Sequence, residues 1–167
     1  MLATSDAANA MQLVSLARIT NKYQFRSIET WALGALQAFY SRPGAFDAVP
    51  TQHPPALPAP LPHVHTPGAD NPSLVQLTEL AALCERHDLL ETVVTRWKRQ
   101  IGEGRDLALA ITIGERFNLK QMLGLAYHAM MLKGKKHWDA ERGLTHDQRV
   151  RLLCGYHSLT KLWDELP

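Results

Sequence analysis

The chain has 167 residues, of which 46% are hydrophobic and 20% are charged, and its formal net charge at pH 7 is +2. This length suits one domain with a sizeable core, and the composition is that of a folded globular protein rather than a disordered one. The small net charge gives no electrostatic reason to expect nucleic acid as the main partner. No stretch approaches the roughly 18 uninterrupted apolar residues that a membrane span requires.

The cysteines and the N-terminus indicate the compartment. The chain contains two cysteines, Cys84 and Cys154. Two are too few for a disulfide scaffold, and both fall within helical apolar patterns. The start, "MLATSDAANA", lacks the basic region and the apolar core of a signal peptide. We therefore expect an intracellular protein, cytoplasmic or nuclear, with a flexible N-terminus over residues 1–12.

A first helical hairpin is predicted over residues 13–42. Leu13, Leu16, Ala17 and Thr20 recur at the spacing of one helix face. A longer apolar stripe follows in "IETWALGALQAF" (28–39), with apolar residues three and four positions apart. Alternation typical of a strand is absent here and elsewhere in the sequence. The two stripes predict a short helix followed by a longer one.

Residues 43–72 differ in composition from the rest of the chain. They contain nine of the ten prolines and only two charged residues, Asp47 and Asp70. Proline removes a backbone donor and fixes φ, so neither a helix nor a central strand persists in such a segment. We predict a disordered linker or loop, in which "PPALPAPLP" (54–62) is either a spacer or a polyproline ligand motif.

The remaining residues, 73–167, are predicted to form a helical interaction domain. Two further pairs of helical stripes appear, over 77–101 and over 107–130. The tetrapeptide "THDQ" (145–148) is a capping box that starts another helix. A last apolar pattern ends in "KLWDEL" (161–166). Together these patterns predict an all-α fold: an array of three helical hairpins plus C-terminal helices, interrupted by the proline-rich loop.

Three similar pentapeptides mark the corners of the predicted hairpins. They are "NKYQF" (21–25), "ERHDL" (85–89) and "ERFNL" (115–119). Each combines a basic residue, a ring, a polar residue suited to a turn and an apolar residue. We interpret the ring and the apolar residue as a clamp that holds each corner against the core, with His87 in the position of Tyr23 and Phe117.

Residue combinations that would indicate catalysis are weak. A nucleophile beside an oriented histidine, a phosphate-binding glycine loop and a complete set of metal ligands are not apparent. We therefore predict a non-enzymatic protein without a cofactor. Two alternatives remain. One is a helical enzyme that binds a metal or a small molecule, and the other is a helical nucleic-acid-binding domain that uses the basic stretch 116–151.

The C-terminal part resembles the helical region that follows the BTB/POZ domain of fungal proteins. The likeness lies in "LAITIGERFNLKQMLGLAYHAMMLKGKKHW" (109–138) and "LTHDQRVRLLCGYHSLTKLWDELP" (144–167). The residues that match the family pattern are Ala126, Tyr127, Trp138, Gln148, Arg149, Leu152, Leu153, Gly155, Leu162 and Trp163. The stretch "LVSLARITNKYQFRSIETWALGAL" (13–36) looks like the helix pair that ends or follows the BTB domain itself.

The resemblance implies an interaction protein, a scaffold or adaptor fragment whose BTB domain is absent from this chain. Its partner would be a protein, with BTB-containing proteins and ubiquitin-ligase components as the candidates, and neither a membrane nor nucleic acid is expected. Without a BTB domain beside it, the first hairpin should expose an apolar patch. The candidate partner-binding residues are Trp31, Phe39, Tyr40, Trp138 and Trp163.

Overall fold

A computed structural model describes residues 3–46 and 73–164, with side chains over 10–46 and 73–161. These residues form eight α-helices and no strand, so the predicted all-α class is confirmed. The helices are α1 (Ala3–Lys22), α2 (Arg26–Tyr40), α3 (Leu74–Leu83), α4 (His87–Gly102), α5 (Leu107–Arg116), α6 (Lys120–Lys133), α7 (Lys135–Ala140) and α8 (His146–Asp164). Residues 47–72, most of the predicted proline-rich loop, lie outside the described part.

The chain divides into two compact units, Met1–Arg96 and Trp97–Pro167. This division differs from the predicted one, in which a hairpin over 13–42 was separate from a domain over 73–167. The first hairpin belongs with α3 and the first part of α4, because polar side chains join these helices. Arg18 pairs with Glu79 at 3.2 Å, and the Gln37 amide donates to the Thr92 hydroxyl at 3.0 Å.

The predicted flexible N-terminus, residues 1–12, also differs from what is observed. Helix α1 begins at Ala3, and Ala10 is 1% exposed. Residues 3–12 contain four alanines and neither proline nor glycine, so no residue interrupts a helix there. The observed helix therefore starts about three turns before the apolar stripe that begins at Leu13.

The first four residues of the predicted loop are part of the first unit. The Phe46 ring stacks on Tyr40 with centroids 4.7 Å apart, and the Phe46 carbonyl accepts a hydrogen bond from Arg96 at 3.1 Å. Tyr40 is 2% exposed as a result of such packing. The structured part of the first hairpin thus extends past α2 to residue 46.

The three helix pairs share one corner geometry. In each pair, the second residue after the end of the first helix has a left-handed backbone. Its φ is 58° at Gln24, 52° at Glu85 and 53° at Asn118. The next N–H then donates to the carbonyl five residues earlier, for example from Phe25 to Thr20 at 2.9 Å. The same bond closes the end of α4, where Gly104 has the positive φ. This is the hydrogen bond that ends a helix in a Schellman motif.

This geometry corrects the alignment of the second corner. The turn between α3 and α4 is "LCER" (83–86), three residues earlier than the pentapeptide "ERHDL" suggested. Cys84, not His87, therefore occupies the position of Tyr23 and Phe117, and His87 is the first residue of α4. The pentapeptide "ERHDL" is therefore similar to the other two in composition but does not occupy the same structural position.

The clamp that was predicted for these corners is absent from the first corner, whereas Phe117 and Leu119 at the third corner are partly buried. The Tyr23 and Phe25 side chains are 61% and 58% exposed. The residue that faces the core is the one that accepts the corner hydrogen bond, and it is small: Thr20, Ala81 and Gly114. A Cβ added to Gly114 would lie 3.2 Å from the Leu123 side chain, so the close packing of α5 on α6 requires glycine there.

Substitutions at the left-handed positions test the corner geometry. A residue with a Cβ is strained at positive φ, so Gln24→Gly and Glu85→Gly should each raise the free energy of unfolding by about 0.5–1 kcal/mol. Gly104→Ala is the control with the opposite expected effect and should destabilise, because φ at this position is +70°, where a side chain with a Cβ is strained. Urea denaturation measures all three. Destabilisation by both glycine substitutions would contradict the assignment.

Candidate interaction surface

Large apolar side chains are exposed around the corner between α1 and α2. They follow one another at intervals of two to four residues around the corner, and we group them as the corner surface. Its members are Ile19 (55% exposed), Tyr23 (61%), Phe25 (58%), Ile28 (46%) and Trp31 (63%). They expose on the order of 500 Å² of apolar side chain, since a whole aromatic side chain buries about 150–250 Å². This sum is comparable in size to the largest apolar patch of a typical monomer, and such patches are often functional.

The corner geometry explains why these side chains face solvent. The left-handed residue turns the chain within three residues, and the core position at the corner is occupied by Thr20, which is 2% exposed. The flanking rings are therefore directed away from the core. The Lys22 ammonium lies 5.5 Å from the Tyr23 ring centroid, a cation–π distance, which keeps that ring covered on one face by a charged residue.

One solvent-exposed face of α2 carries no charge. We call it the α2 outer face and define it by Ser27, Trp31, Gly34 and Ala38, all of which are exposed. No charged residue occurs between Glu29 and Arg42. The solvated face of a helix normally carries charged or polar residues. The outer face therefore continues the corner surface along α2 as an uncharged strip with one large projection, the Trp31 indole.

The five predicted partner-binding residues are distributed differently from the prediction. Trp31 is exposed and belongs to the corner surface, Phe39 is partly buried, and Tyr40 is buried. Trp138 is 2% exposed. The side chain of Trp163 lies outside the described part of the chain. Ile19, Tyr23, Phe25 and Ile28 were missed, because their exposure follows from the corner geometry and not from their spacing.

Trp138 has a structural role in the second unit. Its indole Nε1–H donates a hydrogen bond to the Met130 carbonyl at 2.6 Å. This carbonyl lies in the last turn of α6, where carbonyl groups have no hydrogen-bond donor within the helix. The Tyr156 ring packs edge-on against the indole at 5.7 Å. The contact attaches α7 to α6, so the prediction of Trp138 as a partner anchor is corrected.

A polar cleft lies between the first and second corners. Its volume is about 470 Å³, and its lining includes Asn21, Glu29, Cys84 and Arg86. The Asn21 amide donates to the Glu29 carboxylate at 3.2 Å. Burial, together with the negative charge of Glu29 and a hydrogen bond to it, raises the pKa of Cys84 to about 11. The thiol is therefore protonated at neutral pH, unlike the low-pKa thiol of a nucleophilic cysteine.

The described residues give little support to the two alternative functions, a helical enzyme that binds a metal or a small molecule and a nucleic-acid-binding domain. No group of three or more metal-binding side chains comes together among them. Several residues of the basic stretch are engaged locally: Lys135 pairs with Asp139 at 3.2 Å, and Arg149 donates to the Glu141 carbonyl at 2.8 Å. Such contacts compete with phosphate for the same donors.

A hydrogen-bonded network joins α5, α6 and α8 within the second unit. The Glu115 carboxylate accepts hydrogen bonds from the Tyr127 hydroxyl at 2.7 Å and from the Gln148 amide at 2.9 Å, and it pairs with Arg151. Gln148 also completes the predicted capping box, which is confirmed, because its Oε1 accepts from the Thr145 N–H at 3.0 Å. One amide therefore caps α8 and attaches it to α5.

The protonation of Glu115 reflects this network. Burial raises the pKa of Glu115, but the hydrogen bonds from Gln148 and Tyr127 and the charge of Arg151 outweigh burial, so the pKa lies below its ordinary value. A depressed pKa in the folded state stabilises the fold above the unfolded pKa, and the stabilisation is lost as the pH falls through the folded pKa. The network is thus a source of stability at neutral pH.

No protein-family model, curated protein or solved structure matches the chain. Among the helices formed by residues 3–46 and 73–164, none is both long enough and apolar enough to cross a membrane. The geometry of the exposed surfaces is therefore the basis for a functional proposal.

Gln148→Glu tests the network, because it keeps an oxygen for the capping box and places a second carboxylate beside Glu115. We expect a loss of about 1–3 kcal/mol at pH 7, the cost of an unmade charged hydrogen bond. The neighbouring charge raises the pKa of Glu115 in the variant, so its deficit relative to the wild type should shrink toward pH 4.5. Urea denaturation at both pH values measures this, with Gln148→Ala as the uncharged control. A deficit independent of pH would contradict the network's electrostatic role.

Proposed function

We propose that this protein is a non-enzymatic α-helical module for protein–protein interaction, similar to the region that follows the BTB/POZ domain in fungal proteins. The observation that carries the proposal is the corner surface: five large apolar side chains, each at least 46% exposed, around one helix corner. Water is a poor environment for such a patch, and apolar patches of this size on a monomer are often binding sites.

The composition of the corner surface supports a protein partner rather than a small ligand. Three of its five residues are aromatic, and Trp and Tyr are enriched among the residues that dominate binding energy at protein interfaces. The surface projects from a corner, whereas small molecules bind in concave pockets. The polar rim needed for orientation is supplied by Lys22 and Arg26, which flank the aromatic residues in the sequence.

The proposal includes an intracellular location, cytoplasmic or nuclear. Cys84 and Cys154 are both free thiols. A free and partly exposed thiol is typical of reducing compartments, where disulfides are rare. A scaffold or adaptor role next to a BTB-containing protein or a ubiquitin-ligase component is the specific form of the proposal that the sequence resemblance favours.

Loss of the corner surface should abolish partner binding without unfolding the protein. Phe25→Ser combined with Trp31→Ser removes two exposed rings, so the free energy of unfolding should change by less than about 1 kcal/mol. Affinity capture from source cells, followed by mass spectrometry, should recover a partner with the wild type and not with the double variant.

Leu132→Ser provides the matched control, because Leu132 is 76% exposed and lies on α6 in the other unit. This variant should retain the partner. Identical sets of captured proteins for the wild type, the double variant and the control would refute the proposal. Circular dichroism and urea denaturation of each variant establish that a negative result does not come from unfolding.

A further inference from the structure

We infer that the α2 outer face binds a second copy of this chain, with two α2 helices packed antiparallel about a two-fold axis close to Gly34. The inference rests on the proposed function, because it names a partner for a surface that shares Trp31 with the corner surface. It concerns the strip along α2 rather than the corner as a whole.

The charge distribution favours a second copy. From residue 30 to residue 41 the chain carries no charged side chain, so a charged partner surface would be desolvated there without compensation. A second α2 outer face is uncharged over the same length. An isologous contact brings the same patch of both copies together, and here it places no charge opposite another within the strip.

The shape of the face is self-complementary. Trp31 projects from it and is 63% exposed, whereas Gly34 and Ala38 leave a shallow region next to it. Trp31 and Ala38 are seven residues apart, about two helical turns, on the same side of the helix. A two-fold axis between residues 34 and 35 places Trp31 of each copy opposite Ala38 of the other. Each large side chain then packs on the small residues of the second copy.

Packing within the described part of the chain gives no reason for glycine at position 34. It lies in the interior of α2, where glycine is destabilising by about 1 kcal/mol relative to alanine. A Cβ added to it would meet nothing within 4 Å, so packing inside the chain does not require glycine at this position. Glycine in a helix face does allow a second helix backbone to approach closely. The cost is offset if that approach occurs.

The available apolar area is that of a weak dimer interface. The corner surface alone exposes on the order of 500 Å² of apolar side chain, and the strip along α2 adds to it. A stable interface buries about 800 Å² on each partner. An antiparallel arrangement brings the strip and the adjacent part of the corner surface of each copy into the contact, an area at the low end for protein interfaces.

Sedimentation-velocity ultracentrifugation of the full chain over a wide concentration range tests the inference. The wild type should form a dimer. Gly34→Leu places a good helix former in open space, so the monomer should stay folded. The leucine side chain blocks the close approach of a second helix, so dimerisation should weaken about tenfold or more. Trp31→Ser should have the same effect on dimerisation. Gly124→Leu is the matched control: Gly124 also lies inside a helix, α6, with nothing within 4 Å of its Cβ position, and this variant should dimerise like the wild type.

The outcomes separate this inference from the proposed function. A dimer that Gly34→Leu and Trp31→Ser leave unchanged would overturn the inference, because a different surface would then mediate pairing. A monomer that still captures another protein in a Trp31-dependent manner would overturn the inference and leave the proposed function standing. A monomer that captures nothing would overturn both.

Discussion

The fold depends on one type of backbone hydrogen bond, which forms at the corner of each of the three helix pairs. At each corner an N–H donates to the carbonyl five residues earlier, across a residue with positive φ, and the accepting residue is small and buried. Because this residue is small, α1 approaches α2 and α5 approaches α6 closely. At the first corner the turn is complete within three residues, and the larger side chains beside it, Tyr23 and Phe25, are more than half exposed. The same constraint therefore packs the helices and exposes the corner surface.

The fold class could be predicted from the sequence because it depends on local patterns. Apolar spacing and the capping box at Thr145 and Gln148 are properties of single helices, and both predictions hold. The position of the second corner could not be predicted in this way. It is determined by Ala81, whose carbonyl accepts the corner bond, and not by the ring and charge at His87 and Asp88 that resemble the third corner.

The candidate site was predictable only in part, because exposure of an aromatic residue depends on what lies beyond its own helix. Tyr40 and Trp31 are on the same helix, but Phe46 covers Tyr40, whereas Trp31 is 63% exposed. Trp138 is likewise buried through a carbonyl at the end of another helix. A sequence pattern identifies which helix carries such rings. Tertiary contacts decide which of them remain available to a partner.

The unequal exposure of the tryptophans gives the protein an intrinsic optical reporter. Trp97 and Trp138 are 0% and 2% exposed, whereas Trp31 is 63% exposed and stands on the surface proposed for binding. A buried indole emits at shorter wavelength and is shielded from aqueous quenchers, while an indole in water is not. With Trp163 replaced by Phe, the quenchable fraction of the fluorescence therefore reports on Trp31. Covering of α2 by any partner is visible in the emission spectrum without a label.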